Sequence, residues 1–418
     1  MNDIRLNGVR YARPQKPVVV VCVDGGDPAY LERGLQDGII PNIARFMREG
    51  FTGVAAGTVP SFTCPNNMSL ITGAPASVHG ISGNYYLDVA TGEAVVMTGP
   101  ELLRSRTILA EFADAGARVV SITAKDKLCK QLGKDLDLTR GNVSFSSEKA
   151  DHCTLAENGI ENVLELVGMP LPDMYSMELS LFVLEAGVRL LERDRPELIY
   201  LSLTDYIQHK HAPGDSVANT FYQRIDDCFG RLTDLGAIVA LTADHGMSDK
   251  SRADGQPNVI FLQDILDKRF GSGKTKVVCP ITDAFVRHHG ALGGFVRVWS
   301  LDPGVTAAEI IDSLQGFPGI AEALDRQTVC ARYDLPLDRE GDVAVIAEAN
   351  VVIGAAEAEH DLSALRDARL RSHGGTSEAH VPFIISAPIN AVYRAKAKAG
   401  LKSYQIFDFA INGTLPDA

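Results

Sequence analysis

Residues 17–23, 117–123, 197–203, 237–242 and 381–386 are short runs of almost wholly apolar residues, and each predicts a strand buried on both faces. Helical patterns fall between them. Residues 42–49 follow Pro41, residues 65–72 carry Pro65 near the first turn, and residues 177–193 place apolar positions three and four apart with charges between. This alternation predicts an α/β fold with a mainly parallel sheet and helices on both faces. After about residue 256 the pattern changes. Short strand patterns at 276–280, 295–300, 328–333 and 342–346 surround one helical pattern at 306–314. We therefore expect a core made of 1–255 and 371–418, interrupted by a small α+β cap at 256–370.

At 418 residues and 45% hydrophobic content the chain can bury a large core. A net charge of −13 argues against nucleic acid as the main partner. It leaves an anionic substrate open, because local cations and metal ions set the field of a site. No basic segment followed by an apolar one opens the chain, and no apolar run approaches the length of a membrane span. The seven cysteines are scattered and include no Cys-x-x-Cys pair, which disfavours a disulfide framework and a thiolate zinc site. The expectation is a reducing cytoplasm, with no membrane partner.

The candidate chemistry lies where the apolar runs end. Asp24, the pair Asp205 and His209, and the adjacent Asp244 and His245 each follow such a run, and His373 sits in Arg371-Ser372-His373-Gly374-Gly375. Open α/β sheets bind ligands beyond the carboxyl ends of parallel strands. Carboxylate and imidazole suit hard and borderline metals. Together these residues predict a two-metal hydrolytic site. Singly, an aspartate after a strand is a turn or cap residue and a lone histidine is structural; only their coincidence carries the argument. Asp205 and His209, four apart, would share a helix face, with Thr204 as the cap. Thr63 stands just before a helical pattern, where a helix N-terminus and a metal would make its hydroxyl a nucleophile; the plainer reading is that Ser61 or Thr63 caps that helix. His79 is expected to structure a loop, His211 to lie at the surface or behind the site, and His152 and His360 to face solvent.

The set Asp24, Thr63, Asp205-x-x-x-His209, Asp244-His245 and His373-Gly374-Gly375 resembles the alkaline phosphatase superfamily, and within it the nucleotide pyrophosphatase/phosphodiesterase branch. The stretches FTCPNN, HGISGNYY, TAKDKL, TDYIQHKHAPG and ADHGM resemble the phosphonoacetate hydrolases of that branch, and the resemblance covers nearly the whole chain. It implies an alkaline-phosphatase-like fold with two zinc ions per subunit. One would be held by Asp205, His209 and His373, the other by Asp24, Asp244, His245 and the oxygen of Thr63. Thr63 would be the nucleophile, Asn84 would bind a phosphonate oxygen, and Lys125 and Lys127 the substrate carboxylate. His209, Arg287 and His288 would be further substrate contacts. The implied reaction is hydrolysis of phosphonoacetate, a small anionic phosphonate, to acetate and phosphate by a homodimer.

The chemistry agrees with that implication. Breaking a carbon–phosphorus bond expels a carbanion, which an adjacent carboxylate delocalises. Cations beside that dianion stabilise the transition state more than the ground state. Lys125 and Lys127 would present such cations from a loop at a strand end, although paired loop lysines are ordinarily solvated. A phosphodiesterase on the same metals would instead need an apolar or aromatic slot for an ester group. A cofactor-independent phosphoglycerate mutase would place its insertion before the later ligands. A metal-binding protein without hydrolysis is the non-enzymatic alternative.

Overall fold

The computed structural model describes residues 3–281, 290–365 and 369–417. Its centre is a seven-stranded sheet of β1 (Val18–Cys22), β2 (Phe51–Ala56), β3 (Val119–Thr123), β4 (Val143–Ser146), β5 (Leu198–Ser202), β6 (Ile238–Thr242) and β7 (His380–Ile385), in the order β2-β7-β6-β1-β5-β3-β4. The run from β6 to β4 is parallel, and β7 is antiparallel to both β6 and β2. The middle strand β1 is Val-Val-Val-Val-Cys with every residue buried. Its β-branched side chains fit a pleated surface covered on both sides.

Alternation in β1 splits the core into two layers. Val19 and Val21 join the helices Pro28–Gln36, Pro41–Glu49, Glu178–Asp194 and Ser216–Asp234. Val18 and Val20 face the helices Thr63–Thr72, Ile108–Asp114 and Asp126–Leu132. Parallel β1, β3, β5 and β6 all end at one edge. Because β7 runs the other way, its beginning lies at that same edge, so the turn before it arrives beside the other strand ends.

Residues between β6 and β7 include a second sheet, in the spatial order Thr275–Val278, Phe295–Ser300, Val343–Ala347 and Ile320–Asp325, all neighbours antiparallel. It has its own core around Phe295, Val298, Val345 and Ile346. One expectation fails here. Residues 328–333, expected as a strand, belong to the helix Arg326–Tyr333. The Asp325 side chain accepts from the Thr328 backbone N–H and starts that helix, a local cap that outweighs the β preference of Thr328 and Val329. The outer strand is instead Ile320–Asp325, whose alanines and glutamate favour helix and are held extended by pairing with Val343–Ala347. The 19-residue helix Ser216–Asp234 and the edge strands β2 and β4 are also absent from the expectations. Among the described residues no helix is long and apolar enough to cross a membrane.

Candidate metal centre

The carboxyl edge of the sheet gathers the expected donors. Asp24 lies two residues beyond β1, Asp205 three beyond β5, and Asp244 and His245 two and three beyond β6; His373 lies in the turn before β7. All six donors, Asp24, Asp205, His209, Asp244, His245 and His373, are at most 3% exposed. Their ligand atoms form two groups, each within 4.8 Å: Asp24, Asp244 and His245, and Asp205, His245 and His373. His209 closes on Asp205, Nε2 to Oδ2, at 2.9 Å across one turn of the helix Tyr206–Lys210. Asp205 itself stands at the head of that helix. Thr204, expected to cap it, does not: its hydroxyl is buried without a hydrogen-bond partner.

The histidines turn Nε2 toward the cluster. Nδ1 of His209 donates to Arg371 O at 2.7 Å, Nδ1 of His245 to Gly246 O at 2.8 Å, and Nδ1 of His373 to Ser61 O at 2.8 Å. A carbonyl can only accept, so each neutral ring carries its hydrogen on Nδ1 and turns Nε2 inward. This is the arrangement that orients imidazole toward a metal. The rings of His245 and His373 stack at 3.5 Å between centroids.

Electrostatics point the same way. Burial and the neighbouring Asp24 carboxylate push Asp244 well above the ordinary carboxylate range. Burial resists charge on His245, but Asp244 and Asp24 outweigh it and raise the ring to about 9. Burial resists charge on Asp205 too, yet the Lys125 ammonium and His209 hold it well below its usual value. Burial, with His245 and His209 beside it, holds His373 well below the usual histidine range. Three buried carboxylates at such spacing call for cations, and three carboxylates with three imidazoles are a donor set that fits divalent ions.

Thr63 is the first residue of the helix Thr63–Thr72, so it lies just inside the helix rather than just before it. Its Oγ1 stands 3.4 Å from Asp24 Oδ1 and 3.3 Å from His245 Nε2. Neither Ser61 nor Thr63 caps the helix; Phe62 occupies the cap position. Ser61 Oγ instead donates to Gly375 O at 2.7 Å and accepts from Gly374 N at 3.0 Å, which ties the His373 turn to the start of the Thr63 helix.

Lys125 is almost wholly buried, with Nζ 2.8 Å from Asp24 Oδ2 and 2.9 Å from Asp205 Oδ1, so its ammonium bridges both donor groups. It precedes the helix Asp126–Leu132, and half-buried Lys127 lies in that helix's first turn, where a strand-end loop was expected. Asn84 is buried; its amide donates to Ile281 O at 3.4 Å, and its backbone N–H to Pro280 O at 2.8 Å. Arg297 holds this loop from the second sheet, donating to Ser82 O at 2.7 Å and Tyr85 O at 3.2 Å. Arg287 and His288 lie outside the described residues.

Sequence reasoning missed Asn67. This fully buried amide accepts from Tyr200 Oη (2.7 Å) and Ser202 Oγ (2.9 Å). Its oxygen is thereby fixed, and its nitrogen donates to Thr63 O (3.0 Å) and Asp244 Oδ2 (3.3 Å). The only sequence signal is a polar residue one helical turn beyond Thr63 in a helix otherwise rich in buried positions. His360, expected in solvent, is held instead: Nε2 accepts from Ala355 N at 2.9 Å and Nδ1 donates to Gly290 O at 2.8 Å.

His79 structures its loop as expected. It is fully buried, Nε2–H donating to Ser69 Oγ at 2.9 Å and Nδ1 accepting from Ile81 N at 3.1 Å. Burial, reinforced by the Arg339 charge, lowers it to about 3. The unfolded chain takes up this proton first, so stability present above the ordinary value of 6.5 is lost as pH falls toward about 3. Between pH 6.5 and about pH 5 that loss is roughly 2 kcal/mol. Urea unfolding at both pH values should show His79→Gln losing about 2 kcal/mol less than the parent; equal losses would exclude this role.

Similarity to known proteins is extensive. At 44% identity and a TM-score of 0.93, over 99% of both chains, the protein is similar to phosphonoacetate hydrolase from Sinorhizobium meliloti 1021, solved in complex with phosphonoformate and with phosphonoacetate. Murine ectonucleotide pyrophosphatase/phosphodiesterase 5, 16% identical with a TM-score of 0.62 over 96% of this chain and 97% of that one, shares the fold. An uncharacterised pyrophosphatase/phosphodiesterase of Schizosaccharomyces pombe is 23% identical over 252 residues, which is 60% of this chain and only 44% of that relative's length. The family model for type I phosphodiesterase/nucleotide pyrophosphatase matches residues 18–375. The chain belongs to that family and is a hydrolase acting on phosphorus compounds.

Proposed function

We propose that the protein hydrolyses the carbon–phosphorus bond of phosphonoacetate to acetate and phosphate through a phosphothreonine at Thr63. The observation that carries this reading is the likeness to a phosphonoacetate hydrolase over 99% of the chain, joined to Lys125 and Lys127 at the strand edge that bears the cluster. Asp205, His209 and His373 would hold one zinc ion, and Asp24, Asp244, His245 and Thr63 Oγ1 the other. When bound, such ions supply Lewis acidity to the phosphonyl oxygens and favour the alkoxide of Thr63.

Thr63 Oγ1 gives its proton to solvent and attacks phosphorus, its alkoxide favoured further by the N-terminus of its own helix. The phosphorus–carbon bond breaks and its electron pair passes into the neighbouring carboxylate, giving an enediolate. The Lys125 and Lys127 ammonium groups stabilise this extra charge, and the carbon then takes a proton from water. Water attacks phosphorus from the side opposite Oγ1, the Oγ1–phosphorus bond breaks and a water proton returns to Oγ1, so configuration at phosphorus is retained overall. Asn84 holds a phosphonyl oxygen throughout. Residues 256–370 are the proposed cap over this edge.

Turnover of phosphonoacetate and bis(p-nitrophenyl) phosphate by the zinc-loaded chain, with and without chelator, tests the reading. We expect chelator-sensitive hydrolysis that strongly favours phosphonoacetate. Efficient diester cleavage with no action on phosphonoacetate would move the protein to the phosphodiesterase reading.

A further inference from the structure

Outside the donor cluster, two ion pairs among the described residues have both side chains at most 1% exposed: Arg297–Glu340 and Lys250–Glu378. Burying a charge pair costs desolvation that its attraction returns poorly, so such a pair is weak evidence of a stabilising role. What it holds is more informative, and Lys250–Glu378 holds the metal centre.

Glu378 reaches both histidine-bearing turns. Its Oε2 accepts from Gly375 N at 3.1 Å, two residues after His373, and its backbone oxygen accepts from Gly246 N at 2.7 Å, one residue after His245. Lys250 Nζ donates to Glu378 Oε1 at 2.9 Å and to Ala349 O, beyond the second sheet's Val343–Ala347 strand, at 2.7 Å. Near Lys250, Ser248 and Asp249 pair with Ser372 and Arg371 in a two-residue ladder. The pair is therefore a junction of the His245 turn, the His373 turn and the second sheet.

We propose that Lys250 and Glu378 are positioning residues that fix His245 against His373, and so set the affinity of the centre for divalent ions. The inference rests on reading that cluster as a metal site. A carboxylate is needed at 378 because both of its oxygens receive donors. In Glu378→Gln one oxygen becomes an N–H that must face either Gly375 N–H or the Lys250 ammonium, and the His373 turn shifts. The charge on Lys250 answers that carboxylate and anchors the junction to the second sheet.

Zinc affinity by competition with a chromophoric chelator, and the thermal midpoint of the metal-free protein, separate positioning from bulk stability. Glu378→Gln should weaken zinc binding by about 10- to 100-fold. The double variant Lys250→Met/Glu378→Gln removes both charges, so its metal-free midpoint should return close to that of the parent. Its zinc affinity should stay about tenfold or more below the parent's, because the tie from Lys250 to Ala349 O and the second sheet is still lost even where the amide oxygen at position 378 accepts from Gly375 N. Should Glu378→Gln not fold, the double variant carries the comparison. Recovery of affinity together with the midpoint in the double variant would overturn the inference, as would unchanged affinity in Glu378→Gln. A parent chain that takes up no divalent ion would sink the metal reading itself, before any variant is compared.

Discussion

Thr63→Ala is expected to reduce turnover of phosphonoacetate by roughly 10^4-fold or more while leaving bound zinc in place. The hydroxyl is the attacking group in the proposed reaction. The residue is the first of a fully buried helix, with Oγ1 3.4 Å from Asp24 Oδ1 and 3.3 Å from His245 Nε2. All six carboxylate and imidazole donors remain in the variant, so metal content should hold. Thr63→Ser retains the hydroxyl and should retain much of the activity. Zinc content by elemental analysis, beside steady-state rates for each variant, checks this; near-normal turnover by Thr63→Ala would show that another group attacks phosphorus.

Lys127→Met should lower kcat/KM for phosphonoacetate by about 100-fold while changing diester cleavage by less than about threefold. The reason lies in the leaving group. An aryloxide keeps its charge on one oxygen, whereas the departing acetate carbanion spreads a second negative charge onto the carboxylate that Lys127, in the first turn of its helix, is proposed to bind. Lys125 should behave differently. Its ammonium lies 2.8 Å from Asp24 and 2.9 Å from Asp205, so Lys125→Met removes the cation shared by two proposed ligands and should impair both substrates. Parallel kinetics on the two substrates read out both variants. Equal losses for Lys127→Met would place that residue in general structure rather than in recognition of the carboxylate.

The cluster was legible in the sequence because four of its six donors, Asp24, Asp205, Asp244 and His245, lie two or three residues beyond a strand end. The apolar runs fix the strands, and parallel strands ending at one edge bring Asp24, Asp205 and Asp244 together whatever the loops do. His373 follows from the same logic once β7 runs antiparallel. The supporting contacts were not legible. Asn67 with Tyr200, Ser61 with Gly375, and Glu378 with Lys250 join ordinary polar residues 133, 314 and 128 positions apart. No local pattern marks such pairs, since their partners are chosen by how segments pack. The second sheet was legible only in part for a related reason. Val, Thr and Cys at 328–330 favour strand locally, but the Asp325 cap and the pairing of residues 320–325 decide the outcome.

The proposed function turns on which bond is broken. The direct measurement is NMR of phosphonoacetate incubated with the zinc-loaded protein, following phosphate in the phosphorus spectrum and acetate in the proton spectrum. Phosphate and acetate should appear in equal amounts, with both signals lost on chelation and restored by zinc. Intact phosphonoacetate, under conditions where the same sample cleaves bis(p-nitrophenyl) phosphate, would contradict the proposed function.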